Sequence, residues 1–199
     1  MSLTKFTFYI LGIFILAFGI ALTIQSKLGT SPFDALLVGL SETAGLTVGS
    51  WEVIIAFILI FCNSFLIRQR PEFLGLLTSF ITGIGIDMWL FLLHNLISPE
   101  IWFSKLICFG IGIILIGLGT AIYLYTNFAP IPVDHLTLII HELTKRSILF
   151  ARTVIYLFFL LSAIIFNGPI GIGTVITLCL GGAILNYFMK MIKKLTNPP

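Results

Sequence analysis

Long apolar runs separated by short polar segments dominate this chain. Six of them are long enough to cross a bilayer core, which takes about 20 residues of helix. They cover residues 6–25, 51–67, 73–94, 104–125, 149–166 and 170–189. The runs lack the polar alternation of membrane β-strands, which need only about ten residues each. The pattern therefore predicts an all-α membrane protein with six transmembrane helices.

Two further segments, 32–44 and 132–144, are helical in pattern but too short to span a membrane. Pro32 and Pro132 stand at the first helical position, where the missing N–H of proline is no loss. Ser31 occupies the N-cap position of the first segment. We therefore expect two half-helices. Their spacing leaves open whether they re-enter the membrane, lie on its surface or cross it.

The two half-helices belong to an internal repeat. "GIALTIQSKLGTSPFDAL" at 19–36 and "GTAIYLYTNFAPIPVDHL" at 119–136 place glycine, alanine, proline, aspartate and leucine alike. Each half holds three spans, an odd number, so the halves must run with opposite topology. The prediction is one membrane domain, 1–199, built from inverted repeats of about 1–98 and 99–199. This architecture recurs in secondary transporters.

Composition and charge agree with a membrane setting. The 199 residues are 58% hydrophobic and 10% charged, whereas soluble domains carry about 25% charged residues. The net charge of +3 does not indicate nucleic-acid binding, because the basic residues flank apolar runs. Most of them fall on one side of the predicted topology, which places both termini in the cytoplasm. Glu52 and Arg152, equivalent in the repeat, are expected at the outer and inner flanks.

The candidate substrate-binding residues lie on the half-helices. Asp34 and Asp134 occupy the first helical turn, where the helix dipole favours a carboxylate. They are either simple helix-start residues or elements of a binding site. Asp134, Thr137 and His141 share one helical face, and Asp34 shares a face with Ser41.

Asp87 is a further candidate, because it interrupts the third apolar run. Ionisable groups inside a span are costly and usually face the bundle interior or water. Asp87 has no acidic counterpart in the second half. It is interpreted either as a proton or cation site or as a group that reaches the outer interface near His94.

Motifs for catalysis, metals and cofactors are missing from the sequence. The three cysteines lie inside apolar runs and are interpreted as small buried hydrophobes, with no disulfide or metal site expected. No Ser-His-Asp, HExxH or CxxC arrangement occurs, and "GIGTVIT" lacks the lysine of a P-loop. We therefore expect a protein that is not an enzyme and that binds no cofactor.

The motifs "LGTSPFDAL" and "GLTVGSWEVIIA" and the Gly/Thr-rich third span resemble the bacterial YczE/YyaS/YitT family of membrane proteins, most closely its YczE branch. The Gly-x-x-Pro-x-Asp element at Gly29, Pro32 and Asp34 carries the resemblance, and the second copy has Ala129 in place of the glycine. The resemblance implies a permease-like protein of the bacterial inner membrane and supplies no substrate.

The expected function is a small secondary transporter that moves a small polar or amino-acid-like solute by alternating access. Acids in the cavity favour a cation, an amine, a zwitterion or a proton, whereas half-helix N-termini favour anions. The alternative is an auxiliary membrane protein that scaffolds or regulates a partner. A channel is disfavoured, since no ring of acids or filter-like segment occurs. Expected partners are the lipid bilayer, a small-molecule or ion substrate and a second copy of the chain, and no nucleic acid.

Overall fold

The computed structural model of the protein describes residues 3–97 and 99–196. Within these ranges the backbone forms eight helices and no strand. Six helices are long and apolar enough to cross a membrane. They are α1 (Leu3–Gln25), α3 (Val48–Ile67), α4 (Leu74–Leu93), α5 (Trp102–Tyr125), α7 (Ile148–Ile165) and α8 (Ile172–Thr196). The predicted all-α membrane protein with six spans is confirmed.

Both half-helices form at the predicted bounds, as α2 (Pro32–Ala44) and α6 (Pro132–Thr144). Ser31 caps α2, because its Oγ accepts the backbone N–H of Asp34 at 3.2 Å. The helix ends before Gly45, whose φ of +79° favours a residue without a side chain.

Several span boundaries differ from those predicted from hydropathy, and two of the differences have a clear local cause. Helix α3 begins at Val48 rather than Trp51, because Thr47 Oγ1 accepts the backbone N–H of Ser50 at 3.1 Å and caps the helix. Helix α8 continues to Thr196, beyond the end of its apolar run, and carries lysines in its last turn. Cations there interact favourably with the helix dipole, so the helix persists after its apolar run has ended.

Helices α1 and α5 pack against each other antiparallel at the centre of the bundle. A Cβ built on Gly12 of α1 would lie 2.7 Å from the backbone N of Tyr123 in α5. A Cβ on Gly19 would lie 2.7 Å from the backbone O of Gly112. Small residues therefore let the two backbones touch, as in many membrane helix pairs.

Reciprocal hydrogen bonds join the two halves of the chain. Thr78 Oγ1 in α4 donates to the backbone O of Ala129, in the segment before α6, at 2.9 Å. In the other direction, the backbone N–H of Gly173 in α8 donates to the backbone O of Leu28, in the segment before α2, at 2.8 Å. Each half-helix is thus anchored at its entry by a span from the opposite half.

Helix α2 lies inside the protein. Every residue from Pro32 to Leu40 is buried. The ring of Phe33 packs edge-on against Phe159 of α7, with the ring centroids 5.0 Å apart. Helix α6 is less covered, with several half-buried positions. Of the three placements left open by the sequence, burial rules out a surface position for α2.

The spans that follow each half-helix are arranged differently in the two halves. Helix α3 packs along α4, where Gly49 and Gly83 bring the backbones together. Their counterparts α7 and α8 scarcely touch. The bundle is therefore closed between α3 and α4 and loose between α7 and α8.

Candidate functional site

A cavity of about 80 Å³ lies between the two half-helices. All eight described helices contribute residues to its wall, so the cavity lies at the centre of the bundle. Its polar lining consists of Ser31, Asp34, Glu52, Thr82, Thr120, Asp134, Arg152, Tyr156 and Thr177. Both half-helices reach it with their first turn, so their positive dipole ends point toward the same space.

The two repeated aspartates meet in this cavity. Asp34 is 5% exposed, and its Oδ2 accepts a hydrogen bond from Ser31 Oγ at 2.5 Å. Asp134 accepts one from the hydroxyl of Tyr123, which is buried in α5. Each carboxylate therefore has a side-chain hydroxyl donor besides the end of its own helix.

An acid and a base from the spans line the same cavity. Glu52 of α3 is 2% exposed, and its Oε1 has no hydrogen-bond partner among the described residues. Arg152 of α7 donates from Nη2 to the hydroxyl of Tyr156 at 2.7 Å. Its guanidinium carbon lies 4.9 Å from the centre of the Tyr156 ring, which holds the group by cation–π attraction.

The sequence pattern did not assign this pair to the site. Glu52 and Arg152 were expected at the outer and inner flanks, and the structure shows in addition that both line the cavity. The physical reason is that each lies within the first helical turns of a span that packs against a half-helix from the other half. The available signal was the occurrence of ionisable residues at equivalent positions of two apolar runs.

Asp87, a residue of α4, lies away from the cavity and contacts the N-terminus of α3. Its Oδ1 accepts the backbone N–H of Gly49 at 2.8 Å. The first N–H groups of a helix have no partner within the helix, and a carboxylate satisfies them favourably. The structure thus gives Asp87 a capping contact that accounts for an acid in this span.

Ser41, Thr137 and His141 do not line the cavity either. Ser41 donates to the backbone O of Leu46 at 2.8 Å, and Thr137 donates to that of Val133 at 3.1 Å. The half-buried His141 ring contacts the backbone carbonyl of Arg146, beyond the helix end. These side chains share helical faces with the aspartates, but only the first turn of each half-helix reaches the cavity.

The cavity combines three carboxylates and one guanidinium with several hydroxyl groups. Within the described residues, no carboxylate forms an ion pair with Arg152. Ionisable groups are expensive inside a membrane domain and generally mark a ligand or ion pathway. A cavity of about 80 Å³ suits a few water molecules or one small solute.

Fold and site together define a multi-pass helical membrane protein with a charged cavity at its centre. The chain belongs to a family described as a family of unknown function, DUF6198, which matches residues 3–190. No solved structure matches it.

Relatives in two bacteria match over nearly the whole chain. "Uncharacterized protein YyaS" of Bacillus subtilis strain 168 is 64% identical over 190 residues, which is 96% of this chain and 94% of YyaS. "Uncharacterized membrane protein YczE" of the same strain is 36% identical over 194 residues, covering 97% of this chain and 89% of YczE. An uncharacterized protein of Haemophilus influenzae is 28% identical over 200 residues, covering 100% of this chain and 87% of that protein.

These matches confirm the family resemblance that the motifs indicated. They correct one detail, because the identity to YyaS is higher than the identity to YczE. The branch is therefore decided by identity over the whole chain rather than by the short motifs.

Proposed function

We propose that the protein is a small secondary transporter of the bacterial inner membrane, which moves a small polar or amino-acid-like solute by alternating access. The central charged cavity carries this proposal. It joins residues from every described helix, including the N-terminal turns of both half-helices. Binding sites formed by interrupted helices between repeats are a recurring feature of secondary transporters.

Corresponding residues of the two halves support an inverted repeat of about 1–98 and 99–199. Asp34 corresponds to Asp134, and both line the cavity. The α1–α5 contact is reciprocal, since Gly12 meets Gly119 while Gly112 meets Gly19. Such exchange of contacts is what a two-fold axis in the membrane plane produces.

The different packing of the two halves supports alternating access. The α3–α4 pair is closed, and the equivalent α7–α8 pair is loose. If the two pairs exchange their packing, α7 and α8 close while α3 and α4 separate. The cavity then opens to the other side of the membrane. The basic residues outside the cavity still favour one side, so both termini are assigned to the cytoplasm.

The cavity also weighs against the alternative of a scaffolding protein. A scaffold requires helices that pack well and a face for its partner. It has no need of three carboxylates and a guanidinium around an internal space.

Filling the cavity tests the proposal without knowledge of the substrate. A Cβ at Gly181, in the cavity wall, has only Thr177 within 4 Å, so Gly181→Leu extends into free space. Gly110→Leu is the matched control, because a Cβ there meets nothing within 4 Å and Gly110 does not line the cavity. Proteoliposomes are incubated with a mixed pool of small metabolites, and their contents are measured by mass spectrometry.

We expect the wild type and Gly110→Leu to accumulate at least one solute, and Gly181→Leu to lose at least 90% of that uptake. Protein-free liposomes give the background. Uptake that is unaffected by Gly181→Leu would show that solute does not pass through this cavity. No uptake by the wild type, in a pool that includes polar and charged metabolites, would count against transport.

A further inference from the structure

The charges around the cavity are not equally satisfied by the protein itself. Asp34 and Asp134 each have a helix N-terminus and a hydroxyl donor. Arg152 is also close enough to both aspartates to interact with their charges. Glu52 has the Ser79 hydroxyl as a neighbour, but the charges that act on it are those of the two aspartates and not that of Arg152, and its Oε1 accepts no hydrogen bond. Glu52 is therefore the cavity acid that the protein satisfies least.

Arg152 offers the complementary group. Tyr156 fixes its position by a hydrogen bond and by its ring. That hydrogen bond is the only one the described residues make to the guanidinium. The remaining N–H donors form a planar fork, which matches the paired oxygens of a carboxylate or a phosphate, and the carboxylate is the smaller of the two.

A solute with a single charge would satisfy only one of these residues. An amine would pair with Glu52 and leave the fork of Arg152 unused. A simple carboxylate would pair with Arg152 and bring a fourth acid into a cavity that already holds three. Like charges at such short range repel strongly in a low dielectric. Only a solute that carries both an ammonium group and a carboxylate satisfies both residues at once.

We infer that the cavity binds a small zwitterion of about the size of glycine or alanine, with its carboxylate on Arg152 and its ammonium group on Glu52. This inference rests on the proposed function and specifies the substrate class of the same site. The corresponding positions of the two repeats would then supply the two opposite poles of one binding site. The small volume of the cavity limits the side chain of the zwitterion to about a methyl group.

The test compares alanine with the two molecules that lack one of its poles. Ethylamine lacks the carboxylate of alanine, and propionate lacks its amine. Binding of each is measured by isothermal titration calorimetry on the purified wild type, Arg152→Gln, Glu52→Gln and the control Asp87→Asn. Melting curves of each variant confirm that it is folded.

We expect the wild type to bind alanine at least tenfold more tightly than ethylamine, and propionate not at all. Hydrogen bonds to charged groups account for about 10- to 100-fold in affinity. Arg152→Gln should therefore reduce alanine binding to the level of ethylamine and leave ethylamine binding within about twofold. Glu52→Gln should weaken both, and Asp87→Asn should change neither.

Equal binding of alanine and ethylamine by the wild type would overturn the claim that Arg152 binds the carboxylate of the solute. This comparison uses only the wild type, so it does not depend on the folding of any variant. Binding of none of the three molecules overturns the zwitterion inference as a whole. In that case, uptake of a different solute from the metabolite pool, blocked by Gly181→Leu, would leave the proposed transport function standing.

Discussion

Gly119→Ala is expected to lower the melting temperature of the purified protein by roughly 5–10 °C, equivalent to about 2–3 kcal/mol of overpacking. The new Cβ would fall onto the backbone of Leu16, so α1 and α5 must separate along their contact. Backbone atoms cannot rotate away as a side chain can. Since this contact joins the two halves, the loss reaches the whole bundle.

Gly110→Ala on the same helix is the matched control. A Cβ there has nothing within 4 Å. Alanine also has the higher helix propensity, so the melting temperature should stay the same or rise slightly. Thermal unfolding of both variants in the same detergent decides the matter. Similar melting temperatures for the two variants would contradict the close α1–α5 contact described above.

Neutralising the cavity aspartates is expected to abolish uptake in proteoliposomes, whereas neutralising Asp87 is not. Asp34→Asn and Asp134→Asn each remove a carboxylate that lines the cavity and acts on Arg152, so the initial rate should fall at least tenfold. Asp87→Asn removes a charge from the α3 N-terminus and leaves the cavity intact. It should reduce stability by about 0.3–1 kcal/mol and leave uptake close to the wild-type rate.

All three acids interrupt apolar parts of the chain, so the contrast separates their roles. The comparison is made at equal amounts of folded, reconstituted protein, checked by gel filtration before reconstitution. If Asp87→Asn stops uptake as completely as the other two, Asp87 belongs to the transport path and its capping contact is incidental. If Asp34→Asn transports normally, the aspartates only start their helices.

The sequence predicted the helices well, because a membrane span needs a minimum length of apolar residues. The starts of the half-helices are marked by a proline at the first helical position and, in the first of them, by Ser31 at the N-cap. The ends of the spans were predicted less well. The start of α3 depends on the cap made by Thr47. Helix α8 continues beyond its apolar run because the lysines in its last turn stabilise the helix end.

The candidate site was predicted only in part, for a reason that lies in tertiary structure. Helical spacing correctly gathered Asp134, Thr137 and His141 on one face, but it contains no information on how far along that face the cavity extends. Likewise, hydropathy placed Glu52 and Arg152 near span ends, where solvent is the usual neighbour. The half-helices pack against these spans, and Glu52 and Arg152 therefore line the cavity.

The most direct test of alternating access is the reactivity of a single cysteine at Thr177, in the cavity wall. The three native cysteines are replaced by alanine, and Thr177→Cys is treated with a small, membrane-impermeant thiol reagent in right-side-out and inside-out vesicles. Gln69→Cys and Asn95→Cys, in exposed loops, report the inner and outer sides. We predict that Gln69→Cys reacts only from the inside, Asn95→Cys only from the outside, and Thr177→Cys from both. Reaction of Thr177→Cys from one side only, or from neither, would contradict an alternating-access cavity.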